Sequence, residues 1–226
     1  MASLIAASAV FVGSHFLLSH PARAPLVSRM GRATFMAFYS LVALMSFLWM
    51  IYAFQAVPAR PPLWMAGDLL WGLATAVMLF ASILLAGSFS DNPALPDPRA
   101  RANVTKPAQG VFAITRHPMM WSFILWGVVH ILVMPTAANF VFAGAIIFLA
   151  FFGSFAQDRK KVKQMGTSWQ GWRGRTAFFP FGMQIAGKAG WDDAMPAPGV
   201  LLGGTLIWLG ATWVHGGMSA GIWRWL

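Results

Sequence analysis

GVFAITRHPMMWSFILWGVVHILVM, residues 110–134, decides how this chain is built. A short polar step, Thr115-Arg116-His117-Pro118, opens into an apolar and aromatic run about as long as a bilayer's hydrocarbon core is thick. Pro118 suits the first turn of a helix, where its missing N–H has no partner to lose. Arg116 and His117 are thereby placed at the mouth of a helix, and His130 within the bilayer. Taken alone, Arg116 reads as an interfacial anchor. A lone ionisable group inside a span is rarer and is usually functional.

Composition carries the same message to the whole chain. Of 226 residues, 58% are hydrophobic and only 10% charged, which excludes an ordinary soluble core and marks a polytopic membrane protein. The net charge of +10 is spread over short loops between apolar runs, with no basic-aromatic groove or nucleic-acid motif. Membrane lipid is the expected partner of that charge, and nucleic acid is not. With no Cys there is no disulfide, no thiolate ligand and no cysteine nucleophile.

Apolar runs at Leu4–Leu18, Phe35–Phe54, Leu63–Phe89, Gly110–Met134, Phe140–Phe155 and Val200–Val214 predict an all-α bundle of about six transmembrane helices in a single domain, 1–226. Arg23, Arg29 and Arg32 follow the first run and no basic residue precedes it, the reverse of a signal peptide's polarity. The stretch from Asp158 to Trp191 is basic and rich in Trp and Gly. It predicts an interfacial segment with Trp169, Trp172 and Trp191 at headgroup level. The first, third and fifth loops hold 14 of the 16 Lys and Arg, so these loops are expected in the cytoplasm and both termini in the periplasm of a bacterial inner membrane.

The histidines sort by depth. At 1.5 Å per residue, His15 lies about 5–8 Å inside the inner boundary, with His20 and His117 at that boundary. His130 lies near the outer turn, as does His215. A helical face of Met119, Phe123, Trp126, Gly127 and Met134 surrounds His130, and one of Ser8, Phe11, Val12 and Ser19 surrounds His15. Such apolar walls admit a flat macrocycle with an imidazole ligand, and read equally as plain helix packing.

ITRHPMMWSFILWGVVH, residues 114–130, resembles the signature of the NnrU family of bacterial membrane proteins, to which plant zeta-carotene isomerase is related. The likeness extends to Gly13-Ser14-His15, to Leu26 through Gly31, to Tyr39-Ser40-Leu41 and to the stretch from Asp158-Arg159 to Pro180-Phe181. It implies a haem b held by His15 and His130, with Arg116, His117 and Trp126 as further cofactor contacts. With no Cys in the chain, a bis-imidazole, low-spin iron is the expected form. It also implies a link to nitric oxide and denitrification, or a redox-gated, isomerase-like activity on a hydrophobic small molecule. The isomerase's Cys one turn before the second His is here Gly127, which removes a thiolate exchange. By depth, His15 and His130 stand about 15 Å apart along the membrane normal, too far for one iron. His15 with His117, and His130 with His215, therefore stay open as alternative pairs.

Arg116-His117-Pro118, followed by a basic stretch whose tail is Arg175 through Pro180, also resembles isoprenylcysteine and phospholipid methyltransferases, which use S-adenosylmethionine. The paired acids of that pattern are reduced to Asp158, so methyl transfer is not expected. A non-enzymatic accessory factor is the third reading. Oligomeric state is not written in the sequence.

Overall fold

The computed structural model describes residues 1–95, 99–215 and 220–226. It is 73% helix, with no strand among the described residues. Pro96 and Pro98 of the third loop lie outside them.

The elements are α1 (Ala2–Ser19), α2 (Arg23–Met30), α3 (Arg32–Gln55), α4 (Asp68–Gly87), α5 (Ala100–Asn103), α6 (Val111–Ile114), α7 (Pro118–Val133), α8 (Ala137–Met165), α9 (Thr167–Arg175), α10 (Gly182–Ile185) and α11 (Pro198–Trp213). Four of them, α1, α3, α4 and α8, are long and apolar enough to cross a membrane. The other two expected spans are the apolar helices α7 and α11, of 16 residues each. At 1.5 Å per residue each covers about 24 Å, short of a full hydrocarbon core. The run beginning at Gly110 is shortened because the turn of α6 and the extended Thr115 precede Pro118. By contrast α8 continues well past the apolar run ending at Phe155 and carries Asp158 and Lys161 on its polar end.

The chain forms two compact units. The first comprises Met1–Ala66 and His130–Leu149. Leu4, Ala7 and Phe11, spaced three and four apart on one face of α1, pack with Met50 and Ala53 of α3. Residues early in α1 meet residues late in α3, so the two run antiparallel. Ala138, Val141, Phe142, Ala145, Ile146 and Leu149 of α8 close this core. α2, expected as loop, is an eight-residue helix with no buried side chain. Gly31, at φ +80, separates it from α3, a conformation that disfavours any residue with a Cβ.

The second unit comprises Gly67–Val129 and Ala150–Leu226. Here α4 and α11 pack closely: a Cβ on Gly204 would lie 2.6 Å from the Cα of Ile83, so only glycine allows the approach. Leu84, Val104, Val111, Phe112, Trp169 and Trp172 share the core. The last two add to the sequence reading. Trp169 and Trp172, expected at headgroup level, are 0% and 2% exposed, whereas Trp191 is 63% exposed. They stand three apart on the short α9, which turns both indoles inward, Trp172 edge-on to Phe112.

Candidate functional site

In the second unit the polar step before α7 is held by backbone pairing across more than sixty residues. Arg116 N–H donates to the Ala177 carbonyl at 2.9 Å, and Phe181 N–H to the Ile114 carbonyl at 2.8 Å. Thr115 is fully buried and its hydroxyl donates to the Phe178 carbonyl at 2.7 Å, which also accepts Trp121 Nε1–H at 2.8 Å. This scaffold presents Arg116 and His117 inward. Arg116 donates from Nε and from one terminal nitrogen to Asp158 Oδ2, at 2.9 and 2.8 Å, and from the other to the Thr176 carbonyl at 3.2 Å. His117 Nε2 faces Asp158 Oδ1 at 3.0 Å.

All three side chains are buried, and aromatic rings exclude water around them. The Arg116 guanidinium lies 5.3 Å over Phe178, which also meets the His117 ring edge-on and stacks on Phe155 at 4.3 Å. A buried carboxylate is tolerated when its lone pairs are used, and Asp158 receives a guanidinium on one oxygen and an imidazole on the other. Nε2–H donation to a carboxylate fixes the His117 tautomer and leaves Nδ1 available to a partner.

Beside this triad lies a hollow of about 10 Å³, walled by Asn92, Ala94, Leu95, Arg116, His117, Met119, Met120 and Gln157. The loop wall is pinned from α8: Lys161 Nζ donates to the Pro93 carbonyl at 2.7 Å and Gln157 to that of Ala94 at 3.1 Å.

In the first unit, His15 Nδ1–H donates to the Phe11 carbonyl one turn back at 2.7 Å. That bond sets the tautomer in which Nε2 carries the lone pair. Phe11 and Tyr39 stand edge-on to the ring, with centroids 4.5 and 5.7 Å away, and Ser19 donates to the Tyr39 hydroxyl at 3.3 Å.

His130 stands on a different level of the same unit. Asn139 donates to the His130 carbonyl at 2.7 Å, which places the two side by side, while Phe16 meets Phe148 at 6.3 Å. The nine residues between Asn139 and Phe148 separate these levels by about 13 Å. The backbone levels of His15 and His130 along α8 thus differ by about that much. Trp126 is a half-buried residue of α7. His215, on the turn after α11, repeats the His15 pattern, its Nδ1–H donating to the Ala211 carbonyl at 2.7 Å. His117, the remaining alternative ligand, has Nε2 committed to Asp158.

Arg116 and His117, expected at the mouth of α7, thus meet on one carboxylate. The structure adds Asp158, Thr115, Thr176 and Phe178 to them. Asp158 had a signal in the sequence: it is a lone acid ahead of Arg159-Lys160-Lys161, on the solvent-side end of an apolar run.

The chain matches the family described as NnrU protein over residues 3–222. It belongs to the NnrU family. No curated protein and no solved structure matches it. The NnrU match spans both units, so the triad and the His15 cluster both fall within the family's own extent.

Proposed function

We propose that this NnrU-family membrane protein binds haem b through the imidazole of His15. The supporting observation is the His15 ring itself, half-buried, walled by Phe11 and Tyr39 and held by its Nδ1–H bond in the tautomer whose Nε2 donates to a metal. A carbonyl that accepts from the far nitrogen is the usual support of a ligating histidine. The donor chemistry fits one axial imidazole. It does not fit His15 and His130 on one iron at an axial offset of about 13 Å, so His130 is not counted as the second ligand.

A haem held there by His15 would supply a redox-active iron able to take up a diatomic molecule such as nitric oxide. That agrees with the denitrification link implied by the family resemblance, and a hydrophobic substrate reaching it from the lipid suits the isomerase-like variant. This chain's part is to orient the imidazole through Phe11 and to line it with aromatic rings. We place the protein in the bacterial inner membrane with both termini periplasmic, on the loop distribution of Lys and Arg.

The test is the ultraviolet–visible spectrum of protein expressed with ample haem, oxidised and reduced, beside His15→Ala, His130→Ala and His215→Ala. A Soret band lost in His15→Ala and kept in His130→Ala is the expected result. No Soret band sinks haem binding altogether. A low-spin spectrum lost in both His15→Ala and His130→Ala restores the pair implied by the resemblance.

A second reading has one observation in its favour: Arg116, His117 and Asp158 do converge, as the methyltransferase likeness requires. Against it, the adjoining hollow is about 10 Å³, room for a water and not for an adenosyl group. Calorimetric titration with S-adenosylmethionine separates the two; low-micromolar binding abolished by Arg116→Ala favours methyl transfer.

A further inference from the structure

We infer that the start of α7 binds an anionic oxygen or a halide-sized anion, a site separate from the haem reading and independent of it. The observation that carries it is His117. Its side chain is 0% exposed, Nε2 is taken by Asp158, and Nδ1 has no hydrogen-bond partner among the described residues. Buried polar atoms are nearly always paired, so an orphan ring nitrogen at the wall of a hollow marks a missing partner. His117 and Arg116 are among the hollow's walls, and their shared partner Asp158 is not.

What surrounds that hollow is donor-rich and positive. The N–H groups of Met119 and Met120, in the first turn of a 16-residue helix, find no acceptor among the described residues. Such N–H groups point out of the helix end and carry the positive pole of its dipole. His117 occupies the position from which a capping side chain accepts them, yet its Nδ1 makes no such bond. Arg116 is part of the wall, and among the described residues no carboxylate lines it. Asn92 has both polar atoms engaged, with Ser88 and Ala94, and Lys161 holds the Pro93 and Leu95 carbonyls behind the wall.

Charge closes the argument. Arg116 and Asp158 already neutralise each other, so the positive pole at the start of α7 has no anion of its own. An anion beside the helix start would accept the two backbone N–H groups, with Nδ1–H of a doubly protonated His117 ring as the third donor. A volume of about 10 Å³ takes one oxygen or halide, not a whole ligand. The occupant is therefore a free small anion, or one phosphate oxygen of a lipid headgroup whose remainder lies outside.

Two measurements on the full chain distinguish these sources. Calorimetry in neutral detergent at constant ionic strength, with inorganic phosphate and with bromide, reads the free anion. Native mass spectrometry from nanodiscs of phosphatidylglycerol or of phosphatidylcholine reads the lipid. Saturable anion binding, or retention of phosphatidylglycerol over phosphatidylcholine, weakened at least tenfold in His117→Gln and unchanged in Lys188→Gln, is the expected result. If His117→Gln does not fold, the ring ¹⁵N spectrum of the unaltered protein decides: Nδ1 of one buried histidine moves to its protonated position when the anion is added. Binding indifferent to His117, or a ring spectrum that does not move because the hollow holds only a water, overturns the site.

Discussion

Asp158 accepts the Nε2–H of His117 at 3.0 Å across 41 residues of chain, and its other oxygen is claimed by the neighbouring Arg116. Two adjacent residues at a helix mouth thus depend on one carboxylate from the polar end of α8. With all three under a tenth exposed, losing the carboxylate leaves a buried guanidinium uncompensated.

Asp158→Ala is accordingly expected to destabilise the protein by about 3–5 kcal/mol. Thermal unfolding in mild detergent measures it. In Arg116→Met with Asp158→Leu the loss should be much smaller than the sum of the single changes, because no charge is left behind. Additive losses would show that the two residues do not form a buried pair.

Trp172→Ala is expected to cost about 3–5 kcal/mol, as for a large buried aromatic, while Trp191→Ala stays within about 0.5 kcal/mol. Trp172 is 2% exposed and Trp191 63%. Equal effects on the unfolding midpoint would return Trp172 to the membrane surface.

Gly204→Val drives a side chain into the backbone of Ile83, since even a Cβ there lies 2.6 Å from its Cα. A loss of about 1–3 kcal/mol or more follows from forcing α4 and α11 apart. Gly210→Val, on the same helix with nothing within 4 Å, serves as the control. Matching unfolding curves for the two variants would contradict the close crossing.

Asn139 donates to the carbonyls of His130 and Met134 at 2.7 and 2.9 Å, closing the end of α7. Asn139→Asp turns a donor into an acceptor facing two carbonyls, and Asn139→Leu only removes it. The expected order of stability is native, then Leu, then Asp, with about 1–3 kcal/mol lost for Leu. Proteolysis rates of detergent-purified variants rank them, and an Asp variant as stable as the native chain would refute the assignment.

Single cysteines at exposed Ala102 and Ala137 test the topology. An impermeant thiol reagent applied to intact cells is expected to label Ala137→Cys and spare Ala102→Cys. The reverse pattern inverts the orientation.

The sequence alone determined the helical, membrane-embedded character of this protein. Apolar runs of bilayer length between basic loops leave the backbone no other way to satisfy its hydrogen bonds in lipid. It also placed Pro118 at a helix start with Arg116 and His117 just before it, because proline's missing N–H is harmless only there. The levels of His15 and His130 were legible too, since a fixed rise per residue turns position into depth. Three things awaited the tertiary structure. Indole is equally at home in headgroups and in cores, so burial of Trp169 and Trp172 rather than Trp191 depended on which face α9 turned inward. The polar step at Thr115 marked a break, but the short α6 before it and the pairing with residues 177–181 that holds the break have no signal in the apolar run. And Asp158, legible only as the acid that remains of the methyltransferase-like pattern, meets Arg116 and His117 through packing, because a partner 41 residues away leaves no spacing to read.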